Sequence, residues 1–138
     1  MTYAQLMAQA VKAREGAYMP YSQFAVGAAL LCKDGTVYTG CNIENAAFTP
    51  TVCAERVAFF KAVSDGRRDF SAIAVTGGPA GSPSASDTAP CGVCRQVMAE
   101  FCVAPDFEIV LGSGPEDYAV HTLAELLPLG FGPKNLHP

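Results

Sequence analysis

Three thiols and one carboxylate stand in two short segments, Cys53-Ala54-Glu55-Arg56 and Pro90-Cys91-Gly92-Val93-Cys94-Arg95, each at the expected start of a helix. Cys91 and Cys94 are separated by one helical turn, so both can reach the same ion. With Cys53 they make a three-sulfur set for a zinc ion. Three protein ligands leave the fourth tetrahedral position open, which is the pattern of a catalytic site; a structural zinc has all four positions filled by protein. Glu55 then reads as the proton carrier. On a regular helix, residues two apart point to nearly opposite sides, so Cys53 and Glu55 face one centre only if Cys53 is the cap residue. Glu55 is therefore expected beside the metal without ligating it. Backbone N–H groups at a helix start favour negative charge and hold a thiol as the thiolate that zinc needs. Three thiolates overcompensate a divalent ion by one charge, and Arg56 and Arg95, each close in sequence to a ligand, are expected to bond the sulfurs and offset it.

Two other readings use the same cysteines. A closed structural site would need Cys32, Cys41 or Cys102 as a fourth ligand, but such sites usually bring two Cys-x-x-Cys pairs, and here the third ligand is a lone Cys followed by Ala-Glu. A redox Cys-x-x-Cys reading leaves Cys53 and Glu55 idle and has no thioredoxin-like strand before it. Cys32, Cys41 and Cys102 lie in apolar runs and are expected to pack as small core residues.

The elements that must position these groups follow from periodicity. Residues 3–14 carry Leu6, Met7, Ala10 and Val11 at helical spacing behind Thr2 as N-cap. Phe24 to Lys33 and Thr36 to Thr39 flank Asp34-Gly35, a hairpin signal. Residues 53–64 read as a helix, Ser71 to Thr76 as a buried strand, and Gly77 to Thr88 as a flexible loop rich in Gly, Pro, Ala and Ser. Cys94, Val97, Met98, Phe101 and Cys102 mark one face of a helix running to about Val103, ahead of Pro105. Phe107 to Leu111 and Tyr118 to His121 read as strands and Thr122 to Leu127 as a closing helical turn. Alternating strands and helices with one hairpin give an α/β sheet covered on both faces.

The chain has 138 residues, half of them hydrophobic, which suits a single domain over 1–138. A net charge of −4 with only nine Lys and Arg, scattered along the chain, argues against a nucleic-acid surface. The N-terminus lacks the basic and apolar segments of a signal or transit peptide, and no apolar run reaches the ~18 residues of a membrane span. A cytoplasmic protein with reduced thiols is the expectation, so the six cysteines point to metal or catalysis before disulfides.

Cys-Ala-Glu followed by Pro-Cys-x-x-Cys resembles the zinc nucleobase deaminase signature in its three-cysteine form. Tyr21-Ser22 with Phe24 to Ala29, Gly40-Cys41-Asn42-Ile43-Glu44-Asn45-Ala46, Cys53 to Ala58, Pro90 to Gln96, and Leu126-Leu127-Pro128 with Phe131-Gly132-Pro133 are similar, in order and spacing, to cytidine deaminases of the small homotetrameric type. The resemblance implies a three-layer α-β-α fold with a central mixed sheet of about five strands. It implies one Zn²⁺ per subunit on Cys53, Cys91 and Cys94, with Glu55 moving protons. Asn42 and Glu44 would bond the ribose 3′-hydroxyl, Phe24 would pack near pyrimidine and sugar, and the Ala54 N–H would meet the base carbonyl. Phe131 would stack on the base of a neighbouring subunit, making the active site an assembly product, and Arg56 would bond the thiolates. The implied reaction is hydrolytic deamination of cytidine and deoxycytidine in pyrimidine salvage. The alternatives are a related aminopyrimidine nucleoside such as an antibiotic, or a non-catalytic zinc-stabilised binding module. Without the surrounding motifs, Asn42 and Glu44 would read as turn residues, and Phe24 and Phe131 as core. Two departures stand out: Phe48 where members of the family often carry Tyr, and a Gly77 to Thr88 loop longer than usual.

Overall fold

The computed structural model describes residues 1–136. Helix α1, Tyr3–Ala13, begins at a reciprocal capping box in which the Thr2 hydroxyl accepts from the Gln5 N–H at 3.1 Å and the Gln5 side chain accepts from the Thr2 N–H at 2.9 Å. A short 3₁₀ turn, Arg14–Gly16, follows. Strands β1, Phe24–Cys32, and β2, Val37–Cys41, form the expected hairpin, turned at Asp34-Gly35 with Gly35 at φ +94°. Then come helix α2, Ala54–Ser64; strand β3, Phe70–Pro79; helix α3, Gly92–Phe101; strands β4, Glu108–Gly114, and β5, Asp117–Thr122; and short helices α4, Leu123–Leu126, and α5, Pro133–Leu136.

The strands form one mixed sheet in the order β2-β1-β3-β4-β5. Only β3 and β4 run parallel, and α3 makes the crossover between them. Strand alternation divides the core into two layers. On one face Ala29, Ala72, Ala74 and Val110 pack against Leu6, Met7 and Ala10 of α1. On the other, Ala28, Leu30, Ile73, Val75 and Ile109 pack against Ala58, Phe59 and Ala62 of α2 and Cys94 and Met98 of α3. The result is the expected three-layer α-β-α arrangement on a mixed five-stranded sheet. Among the described residues, no helix is long and apolar enough to cross a membrane.

Strand β3 departs from the sequence expectation. It continues through Gly77, Gly78 and Pro79, which composition assigned to a loop, because these residues pair antiparallel with Val26, Ala25 and Phe24 of β1. The glycines are there for space. A Cβ on Gly77 would meet Thr88 and Val26 side chains at 3.0 Å, and one on Gly78 would meet the Pro83 carbonyl at 2.9 Å. At the other end of the crossover, α3 stops at Phe101, two residues before the expected end, because Cys102 turns to extended backbone. Cys32 is a core residue as expected, whereas Cys41 and Cys102 are only half-buried.

Candidate metal centre

Helices α2 and α3 each begin directly after a thiol. Cys53 is the N-cap of α2 and Cys91 the N-cap of α3, both extended, and neither side chain caps its helix. The sulfurs are thereby left for another partner. Cys53 Sγ lies 3.5 Å from Cys91 Sγ, and Cys91 Sγ lies 3.4 Å from Cys94 Sγ. All three fall within 4.8 Å of one another, and no further His, Cys, Asp or Glu joins the group among the described residues. Cys32, Cys41 and Cys102 stand apart from it. This donor set fits a zinc ion: a tetrahedron with Zn–S bonds of ~2.3 Å has edges of roughly 3.8 Å, close to the separations observed.

Because Cys53 is the cap, Glu55 falls at the second position of α2 and its carboxyl is buried, 3 % exposed. Burial pushes the Glu55 carboxyl up to about 7, with the neighbouring Cys53 sulfur adding to the rise. A hydrogen bond from Cys94, then the Arg56 guanidinium, bring the Cys53 thiol well below its ordinary value against the effect of burial, while the bond to Cys53 and burial raise Cys94. Arg56 places Nη2 3.5 Å from Cys53 Sγ, and its buried Nε has no hydrogen-bond partner among the described residues.

Arg95 does not join it. Its Nε donates to the Pro90 carbonyl at 2.8 Å and its Nη1 to the Leu126 carbonyl at 2.6 Å. Helical spacing alone would let both arginines reach a sulfur, since Arg56 follows Cys53 by three residues and Arg95 follows Cys91 by four; what separates them is that the guanidinium of Arg95 is taken up by these two carbonyls.

The segment Asn42–Glu44 is tied to the metal centre through the backbone. Ile43 and Val52 exchange both N–H···O bonds at 3.0 Å, and Val52 immediately precedes Cys53. The Asn42 side chain grips the start of β1, accepting from the Val26 N–H at 2.9 Å and donating to the Phe24 carbonyl at 2.8 Å. Glu44 Oε1 accepts from the N–H groups of Tyr21 and Ser22 at 2.9 and 3.1 Å, and the Ser22 hydroxyl and these amides hold its carboxyl below the ordinary carboxylate range. Phe24 is 37 % exposed, its ring beside Gly77 and Thr88. Ala54, fully buried, opens α2, so its N–H is among the donors with no intrahelical acceptor. Phe48, at φ +63°, is largely exposed and meets the Tyr21 ring edge-on at 6.2 Å.

Phe131 stands on the C-terminal segment, 57 % exposed. Gln96 Nε2 donates to its carbonyl at 2.9 Å, so the two residues after Cys94 anchor the segment to α3, Arg95 at Leu126 and Gln96 at Phe131. Sequence reasoning missed Gln96 in this role; the signal was its place directly after Cys94-Arg95.

The family model for the cytidine and deoxycytidylate deaminase zinc-binding region matches residues 1–108, a span that includes both cysteine motifs. The chain is 52 % identical to a cytidine deaminase from Sporosarcina psychrophila, over 99 % of this chain and 96 % of that protein. It is 50 % identical to one from Halalkalibacterium halodurans, over 99 % of each. Among solved structures, a cytidine deaminase from Burkholderia pseudomallei superposes with a TM-score of 0.83 at 47 % identity, covering 95 % of this chain and all of that one. With matches of this extent running through both cysteine motifs, the chain belongs to the cytidine deaminase family.

Proposed function

We propose that this protein hydrolyses the exocyclic amine of cytidine and deoxycytidine, giving uridine or deoxyuridine and ammonia in pyrimidine salvage. The observation that carries this reading is the three-thiol cluster with a buried carboxyl on the same helix end, joined through the Ile43–Val52 pair to Asn42 and Glu44. Cys53, Cys91 and Cys94 would hold zinc, which when bound supplies Lewis acidity and brings the pKa of water down to about 7.

Glu55 takes a proton from the attacking water, delivers it to ring N3, and carries a second to the amine as the C4–N bond breaks. The oxygen of water becomes the C4 carbonyl; its two protons end on N3 and on ammonia. A carboxyl held near neutrality by burial suits both transfers. The Ala54 N–H meets the base carbonyl. Asn42, with one amide N–H and one lone pair beyond its two bonds to β1, and Glu44, through Oε2, take the ribose 3′-hydroxyl. Phe24 packs beside the ring. Since these contacts do not read the 2′ position, both nucleosides are substrates. Arg56 offsets the excess thiolate charge.

The enzyme works as a homotetramer in the cytoplasm, with Phe131 of each subunit stacking on the base bound by a neighbour. Support for assembly lies in exposed apolar groups: Phe48, Leu129 and Phe131 are 73 %, 105 % and 57 % exposed. All six cysteines are free, which fits a reducing compartment. Ammonia release is measured with cytidine, deoxycytidine and a cytosine-containing single-stranded oligonucleotide. Turnover of the two nucleosides and not of the oligonucleotide is expected; turnover of the oligonucleotide alone, or of none, refutes the reading. Sedimentation at a mass below two subunits would refute the shared site.

A further inference from the structure

Arg14, just past the end of α1, donates to four carbonyls. Its Nε bonds Ala25 O at 2.8 Å, Nη1 bonds Ser82 O at 2.8 Å, and Nη2 bonds Gly78 O and Pro79 O at 2.8 and 2.9 Å. A guanidinium has five N–H donors, so nearly its whole capacity goes to one knot of backbone. Among the described residues it has no carboxylate within ion-pair distance.

The seat for this knot is Gly27 on β1. A Cβ there would lie 2.0 Å from Ala10 O and 2.5 Å from Arg14 N, so only glycine lets the end of α1 rest on the sheet at this point. What the knot holds reaches the site. Ala25 lies between Phe24 and Val26, the two residues that Asn42 grips. Gly78 and Pro79 pair with Ala25 and Phe24. Ser82 begins the return of the chain toward Cys91, fixed further by Ala85 N–H on Gly77 O at 2.8 Å and the Thr88 hydroxyl on the same carbonyl at 3.1 Å. The Phe24 ring and the Thr88 methyl then lie together over Gly77.

Resting on the function proposed above, we infer that Arg14 is a positioning residue for the reaction. It fixes the wall of Phe24, Gly77 and Thr88 against which the nucleoside packs. The long loop after β3 is thus part of the binding wall, locked from the opposite face of the sheet.

The test uses the full-length zinc-loaded protein with Arg14→Ala and Arg14→Lys, measuring kcat and KM for cytidine per bound zinc and amide exchange over residues 80–90. For Arg14→Ala, KM is expected to rise about tenfold while kcat changes less than about threefold, since the knot supports binding and not the proton transfers. Exchange in the loop should quicken. Arg14→Lys, whose donors radiate from one point, is expected to fall between; if Arg14→Ala does not fold, the Lys variant is judged by the same KM criterion. A lower Tm with KM unchanged in the folded variants shows a role in stability alone and overturns the inference. Wild-type protein that releases no ammonia from cytidine overturns both this inference and the function it rests on.

Discussion

Gly40 on β2 offers a perturbation whose size is set by geometry. A Cβ at this position would lie 2.4 Å from the Ala54 carbonyl and 2.7 Å from the Ala58 N–H, both backbone atoms of the first turns of α2. Ordinary contact begins near 3.4 Å, so Gly40→Ala obliges the start of α2 to withdraw by about 1 Å, since backbone atoms in a close-packed interior have no rotamer to escape into. That turn carries Cys53, Ala54 and Glu55. Overpacking of this kind costs about 1–3 kcal/mol, which for a chain of this size lowers Tm by roughly 4–12 °C. Catalysis should suffer more than stability, because a misplacement of about 1 Å costs on the order of 100-fold in rate. Calorimetry, zinc stoichiometry, and kcat per bound zinc with cytidine are the assays, with Gly114→Ala as control, since a Cβ at Gly114 meets nothing within 4 Å. A Gly40→Ala protein with lowered Tm but kcat per zinc within threefold of wild type would show that β2 does not set the position of the turn carrying Cys53 and Glu55.

Other outcomes follow from the same geometry. Glu55→Gln should keep zinc and fold and lose about 10²–10⁴-fold in kcat, because the isosteric amide cannot carry a proton; near wild-type turnover at full zinc content removes Glu55 from its role. Phe131→Ala removes an exposed ring, so Tm should hold while KM rises roughly tenfold, within the ~1–3 kcal/mol of base stacking; an unchanged KM removes Phe131 from the site. The Tyr3 hydroxyl donates to Glu108 at 2.5 Å, and burial, then that bond and the Glu108 charge, push its pKa up to about 12. A folded-state pKa raised above the unfolded value near 10 means that stability from this group is fully present below pH 10 and lost as pH rises toward 12. Tyr3→Phe should therefore lower stability by about 1 kcal/mol at neutral pH, with the gap to wild type closing above pH 10 in denaturant titrations. A gap that stays constant to pH 12 would contradict it.

The thiol cluster was legible because it sits in local spacing. Cys91 and Cys94 share a helical turn, and the two-residue step from Cys53 to Glu55 makes sense only with Cys53 as cap, the position it occupies. The hairpin was legible in Asp34-Gly35, whose Gly takes the left-handed conformation that the turn needs. What local reasoning missed depends on partners distant in sequence. Gly77-Gly78-Pro79 reads as loop by composition, yet β1 recruits it as strand. Arg14 reads as an ordinary basic residue after a helix, and its acceptors lie up to 68 positions away. Arg95 lies one helical turn after Cys91, and only the fold reveals the Pro90 and Leu126 carbonyls that take its guanidinium away from the sulfurs. Helix α5, four residues long, carries no periodic signal.

X-ray absorption at the zinc edge of the purified protein counts the sulfurs around the ion and so reads whether one position beside Glu55 is open. Three sulfur neighbours at about 2.3 Å with one oxygen or nitrogen are expected. A shell of four sulfurs would mean a closed, structural site with no position for the reacting water.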